Sequence, residues 1–238
     1  MNVKQYILQK QARVREQLPF RSICRRCLQP QSWCYCEKIQ TMDFGITFAI
    51  LLHPLERRRR IASGRMAHLL LQNSYLIVGH EYSNDPVVNQ LLEDPNHFPV
   101  ILCMGEDSKN ISQMSEADKK NICPREKRLL VFVVDGTWGT ASKTIRLSHN
   151  LKNLPKISFI PSSPSRFRVR QQPQENCYST IEAIHQTIEL IGTSQGFDIH
   201  TRKHDHLLEV FDFFVLQQLK YVQHLKTSVG LQYRKINR

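Results

Sequence analysis

Leu129-Leu130-Val131-Phe132-Val133-Val134-Asp135-Gly136-Thr137-Trp138 carries the strongest structural signal in the chain. Six apolar residues run unbroken and stop at an acid and a glycine. The run is too short for a buried helix and rich in β-branched valine, so it reads as a strand covered on both faces. Gly136 lets the backbone turn tightly, and the acid stands just past the strand, a common position for active-site groups. Working outward, 45–52 (GITFAILL) reads as a second buried strand, ended by His53 and Pro54. Shorter strands are expected at 75–78, at 99–103 (stopped by Met104 and Gly105) and at 157–160. Helical patterns fall at 61–72, 112–121, 176–191 and from 206 to about 224. A basic helix over 3–19 leads into a Cys-rich knot, and 225–238 reads as a loose basic tail.

Strands that alternate with helices and are apolar on both faces predict an α/β fold, a mostly parallel sheet flanked by helices. Such sheets bind ligands at the carboxyl ends of their strands. Those ends carry His53-Pro54-Leu55-Glu56, Met104-Gly105-Glu106, Asp135-Gly136-Thr137-Trp138 and the segment from Pro161 to Ser165. No internal repeat and no low-complexity segment interrupts the pattern. The division expected is 1–40 for the N-terminal helix and Cys cluster, 41–225 for the main domain, and 226–238 for the tail.

Composition narrows the partners. The 238 residues include 33 Lys and Arg against 21 Asp and Glu, a formal charge of +12. A surface that basic favours a polyanion through counterion release, against the plainer reading of a basic protein with no such partner. The 41% apolar content excludes wholesale disorder. The polar start lacks the apolar core of a signal peptide, and no apolar run reaches the ~20 residues that span a bilayer. A cytoplasmic setting is therefore expected, where clustered cysteines point to metal before disulfide.

Four of the seven cysteines fall within 24–36, as Cys24-x2-Cys27-x6-Cys34-x-Cys36. Zinc takes four soft ligands in a tetrahedron, and short Cys pairs at turns supply two each. Four thiolates leave no position for a substrate, so the role expected is structural. The alternative, four cysteines clustered by chance, is weaker, although one intervening residue in the second pair is unusual.

Read singly, the other motifs have plain interpretations. Asp135, Thr137 and Trp138 in a strand-to-helix turn are most often a cap and a core aromatic. Arg166, Arg168 and Arg170 alternate in an extended segment and project to one side. That pattern suits phosphates or a substrate carboxylate, and also a solvated loop. Ser179-Thr180-Ile181-Glu182-Ala183 reads as a helix start, whose free N–H groups favour an anion. Arg57 to Arg60, followed by Ser63-Gly64-Arg65, is as readily a solvated face as an RNA contact.

Together these segments resemble the DTW-domain family, named for an Asp-x-Thr-Trp signature met here by Asp135-Gly136-Thr137-Trp138. The family's other marks follow in order over 24 to about 190: a Cys cluster, a His-Pro-x-Glu segment, a Gly turn, and an Arg-rich stretch before Ser-Thr-x-Glu-Ala. The resemblance implies a SPOUT-like knotted α/β sheet. It implies transfer of the 3-amino-3-carboxypropyl group of S-adenosylmethionine to N3 of a uridine in tRNA, with methylthioadenosine released. Catalytic roles fall to Asp135, Thr137 and Trp138. Donor contacts fall to Leu52, His53, Met104, Gly105, Ser179, Thr180 and Glu182. RNA contacts fall to Arg57, Arg58, Arg65, Arg166, Arg168 and Arg170, and structural zinc to Cys24, Cys27, Cys34 and Cys36. Asp135 is placed either to accept the uridine proton or to hold the donor's amino group. Trp138 is placed to wall the adenine, to stack on the extruded base, or to fill the core. Two departures stand out. Ser63 occupies a place where many members carry an Asn-Thr pair or similar, and Met104 precedes Gly105 where Pro is common. Rival readings are a SPOUT-like RNA methyltransferase, a ribosomal acceptor, and a non-catalytic zinc-ribbon RNA-binding module.

Overall fold

A computed structural model describes residues 22–57, 62–105, 107–169 and 177–229. The strands are β1 (Ile46–Leu52), β2 (Ser74–Val78), β3 (His97–Leu102), β4 (Lys109–Asn110), β5 (Arg128–Asp135) and β6 (Lys156–Ser158). The helices are α1 (Pro54–Arg57), α2 (Ser63–Leu70), α3 (Pro86–Glu93), α4 (Glu116–Lys120), α5 (Trp138–Leu147), α6 (His149–Lys152), α7 (Thr180–Ile191) and α8 (His206–Val229). The chain falls into two compact units, Met1–Glu37 and Lys38–Arg238.

The second unit is built on one sheet of order β2-β1-β5-β3-β6-β4, and every ladder among its described strands is parallel. β1 and β5 sit centrally because both are apolar on both faces, and all seven residues of β1 are buried. Successive side chains alternate between faces. On one face Ala49, Leu51, Leu130 and Phe132 pack with Val88 and Leu91 of α3 and with Leu151 of α6. On the other, Ile50 faces α2, which packs with α7 and α8. Helices thus cover both faces, the α/β architecture expected of near-continuous apolar strands.

Differences from the sequence expectation have local causes. β4 was not anticipated: its two polar residues are extended only because they pair with β6 at the sheet edge. α3 was missed although Asp85 caps it, accepting from the N–H groups of Val87 and Val88, with Pro86 at its first position. The helix expected over 112–121 is shorter, since Ser115 caps it and accepts from Asp118 N. α8 continues to Val229, so the expected loose tail over 225–238 begins as helix. The helix read over 3–19, Arg58, Glu106, Arg170 and residues 230–238 lie outside the described residues. Among the described residues no helix is long and apolar enough to cross a membrane.

Candidate active site

β1 and β5 are neighbours, yet their onward connections diverge: β1 leads to β2 on one side, β5 to β6 on the other. Parallel sheets bind ligands at such a switch point, outside the carboxyl ends of the strands. There Leu52 pairs with Asp135, and His53 N donates to Asp135 O at 3.1 Å. β3 flanks β5 with Leu102 opposite Val133, so Met104 and Gly105 leave the sheet beside Asp135.

The Asp135 side chain is 6% exposed. Its Oδ1 accepts from Thr180 Oγ1 at 2.6 Å and its Oδ2 from Gly64 N at 3.1 Å. Thr180 N in turn donates to Ser63 Oγ at 3.1 Å. One carboxylate therefore joins the starts of α2 and α7 at the end of β5. At these helix starts the Gly64 N–H is given to the acid and the Thr180 N–H to Ser63, so both backbone donors find acceptors. Gly64 is required by space: a Cβ there would lie 2.5 Å from Asp135 Oδ2 and 2.9 Å from Ile50 Cγ2.

The remaining motif residues divide by what they touch. Thr137 caps α5, accepting from Thr140 N at 3.3 Å, and Trp138 is the first residue of that helix. Ser179 and Glu182 form a capping box at the start of α7. Glu182 also reaches across to the 160s loop, accepting from Ser165 Oγ at 2.8 Å and Arg166 N at 2.6 Å. The loop is held further by Ser162 Oγ donating to Gln186 Oε1 and by Phe167 edge-on to Phe211 of α8. Alternation follows: Phe167 is buried while Arg166 and Arg168 are exposed. Arg166 pairs with Asp212 at 2.7 Å. Arg65 is half-buried on α2, and Arg57 ends α1. Met104 and Ile160, 59% and 54% exposed, leave apolar surface at the same carboxyl end of the sheet.

Sequence reasoning had singled out Asp135, Thr180 and Glu182 but gave no part to Ser63, Gly64 or Ser165. Ser63-Gly64 stood beside a basic run and Ser165 closed a segment at a strand end, but a hydroxyl or glycine in a loop is too common to be read as a contact to a carboxylate 71 or 17 residues away.

In the first unit the four cysteines converge. Cys24 Sγ lies 3.6 Å from Cys36 Sγ, Cys27 Sγ lies 3.6 Å from Cys34 Sγ, and all four sulfurs fall within 4.8 Å of one another. A tetrahedron with Zn–S bonds of about 2.3 Å sets sulfurs about 3.8 Å apart, so the quartet fits a metal ion. The turn that makes this possible has Leu28 in the left-handed region and Leu28 N donating to Cys24 O. Backbone N–H groups of Cys27 and Arg26 hold the Cys24 thiol down to about 6, toward the thiolate that ligates metals.

The DTW-domain family model matches residues 21–219. The chain is similar to proteins named tRNA-uridine aminocarboxypropyltransferase 2. It is 23% identical to that of Drosophila melanogaster over 72% of this chain and 67% of the fly protein. It is 25% identical to the Mus musculus protein and 26% identical to the Macaca fascicularis protein, each over 67% of this chain. Both matches span 53% of the relative, about half its length. No solved structure matches the chain. With a signature acid at the switch point and a family match over most of its length, this chain belongs to the DTW-domain family.

Proposed function

We propose that this chain transfers the 3-amino-3-carboxypropyl group of S-adenosylmethionine to N3 of a tRNA uridine, releasing methylthioadenosine. The observation that carries the reading is the engagement of the signature acid. Asp135 is buried at the carboxyl end of β5, with its two oxygens held by Gly64 N and Thr180 Oγ1. The names of the similar proteins supply the reaction class.

S-adenosylmethionine would supply a sulfonium whose methionine-chain carbon is open to attack, the C–S bond breaking to release methylthioadenosine. The residues suited to holding it are the backbone of Leu52–His53 and Met104–Gly105, the hydroxyls of Ser179 and Thr180, and the apolar surface of Met104. Uridine N3 attacks only after losing its proton, and Asp135 is the acceptor assigned here. A carboxylate accepts up to about four hydrogen bonds, and those from Gly64 N and Thr180 Oγ1 reach one oxygen each. Those same two bonds fix its rotamer, and orientation is the main lever when the wrong carbon gives the wrong product. Glu182 shapes the 160s loop, and Arg168 meets RNA phosphates from that loop. The Cys quartet holds zinc as a structural ion.

The test is incubation of the protein with S-adenosylmethionine and total tRNA, followed by nucleoside mass analysis. An aminocarboxypropyl-uridine together with methylthioadenosine supports the reading. A methylated nucleoside with S-adenosylhomocysteine would move the chain to RNA methylation. Unmodified RNA despite tight tRNA binding would leave a binding module. Replacing Asp135→Asn is expected to abolish transfer with tRNA affinity nearly unchanged; a fully active variant removes Asp135 from the chemistry.

A further inference from the structure

A second group of metal-ligating side chains lies further along α7 than the residues that hold Asp135 and the 160s loop. α7 carries His185 and Glu189 one helical turn apart, on one face. The 3-10 turn Lys203–Asp205, just before α8, carries His204 and Asp205. His185 Nε2 lies 2.9 Å from Asp205 Oδ1, His204 Nε2 lies 3.8 Å from the same oxygen, and His204 Nε2 contacts Glu189 Oε2. One donor atom from each residue falls within 4.8 Å of all the others. We propose that His185, Glu189, His204 and Asp205 form a site for a divalent cation of the zinc class, distinct from the Cys quartet.

The donor set is two imidazole nitrogens and two carboxylate oxygens, which suits zinc and its neighbours rather than calcium or magnesium. Tetrahedral bonds of about 2.1 Å set ligand atoms about 3.4 Å apart, and the separations here bracket that value. His204 is 0% exposed and His185 is buried, whereas the two carboxylates keep some exposure and leave a route from solvent. Charge supports a cation. Two carboxylates face one guanidinium, Arg202, so these three groups together carry a net negative charge.

Arg202 also acts as the outer support such a site needs. Its Nη1 donates to both Glu189 oxygens at 2.8 Å, its Nε to Asp205 Oδ2 at 2.9 Å and its Nη2 to Asp205 Oδ1 at 2.7 Å. The residue holds a left-handed backbone, φ 53°, which a non-glycine adopts only where the surroundings demand it. A separate observation concerns His204: its buried Nδ1 has no hydrogen-bond partner. A proton on Nδ1 would leave the Nε2 lone pair facing two carboxylates. A proton on Nε2 would serve one of them and strand Nδ1 as an acceptor. With the proton on Nδ1, a central cation takes the Nε2 lone pair and both carboxylates at once, although Nδ1 itself gains no partner from it. Bound there, the ion would clamp the second half of α7 to the start of α8, and with it the helix whose first residues hold Asp135 and the 160s loop.

The test uses the full chain, stripped with chelator, reconstituted with excess Co2+ and desalted. Two cobalt ions per chain are expected, one with the intense sulfur-to-cobalt absorption of a thiolate site and one with only weak visible bands. Asp205→Asn, which keeps the Cys quartet intact, is expected to hold one ion that retains the sulfur absorption. The double variant Cys24→Ser, Cys27→Ser is expected to hold one ion without it. A wild-type chain that takes a single ion, all of it thiolate-bound, overturns the proposal, as does a folded Asp205→Asn that keeps both. Should either variant fail to fold, the wild-type count and spectrum decide alone.

Discussion

Two glycines at the carboxyl end of the sheet differ in what surrounds them, and the difference makes a prediction. A Cβ on Gly64 would lie 2.5 Å from Asp135 Oδ2 and 2.8 Å from its Cγ, both side-chain atoms held in place by Thr180. A Cβ on Gly105 would meet nothing within 4 Å. Gly64→Ala must therefore push the acid from its seat or tilt the start of α2. The expected cost is about 1–3 kcal/mol, the usual range for overpacking, with loss of transfer activity. Gly105→Ala should leave stability within about 0.5 kcal/mol, the range of an ordinary surface change. Urea denaturation of both variants beside a nucleoside assay separates the two. Equal midpoints for Gly64→Ala and wild type would mean that the contact between α2 and Asp135 is looser than its geometry. At this scale the sequence was half legible. An acid after an apolar strand names itself by position, whereas its partners at Gly64 and Thr180 stand 71 and 45 residues away in the chain, joined only by the fold.

Elements built from apolar periodicity were the legible ones, and elements built from capping were not. β1 and β5 declare themselves because water is excluded from both faces. α5 was read only as a turn, since Trp-Gly-Thr-Ala-Ser-Lys-Thr holds few strong helix formers; Thr137 caps it and β5 aims it. α7 was legible from its apolar stripe, expected over 176–191, but it begins only at Thr180, where Ser179 and Glu182 form a capping box. Glu182 does more than cap: it holds the 160s loop to α7 through Ser165 and Arg166 N. In Glu182→Gln one carboxylate oxygen becomes an amide donor facing N–H and O–H groups. A loss of about 1–3 kcal/mol is expected, together with faster proteolysis within 161–169 than elsewhere in the chain. Uniform proteolysis would assign Glu182 to the helix alone. The contact between α2 and β2 carries a pH dependence. His68, in the last turn of α2, shares a hydrogen bond with Ser74 Oγ at 2.9 Å, and burial holds its imidazole below the ordinary value. The unfolded chain therefore binds the proton more readily, so stability is intact above an ordinary imidazole value of about 6.5 and falls as pH drops below it. His68→Gln should flatten that slope in urea midpoints taken from about pH 8 to pH 5, and an unchanged slope would place the titration elsewhere.

Over the whole molecule the charge of +12 has a use only if it faces a polyanion, and the 160s loop is where the argument becomes specific. Arg166 and Arg168 are both exposed on that loop, which turns tightly with Arg168 N donating to Arg166 O at 2.8 Å, while Phe167 between them anchors it against Phe211. The extended segment expected from the sequence is a turn instead, and the alternation could not show that Arg166 is paired with Asp212 of α8 at 2.7 Å. That pair is half exposed, so it contributes little to stability, about 0–1 kcal/mol, yet it competes with any phosphate for the guanidinium. The two arginines should therefore separate in a salt titration of tRNA binding. Each phosphate contact adds nearly one counterion to the slope of log K against log salt. Arg168→Ala should weaken binding across all tRNA sequences alike and lower the slope by about 1. Arg166→Ala should change the slope by less, because binding already has to break the bond to Asp212. Asp212→Asn should strengthen binding by releasing Arg166. If Asp212→Asn leaves tRNA affinity where it was and Arg168→Ala leaves the slope intact, the loop faces something other than phosphate. The RNA path would then have to be sought along the other basic segments, where Arg65 lies on α2.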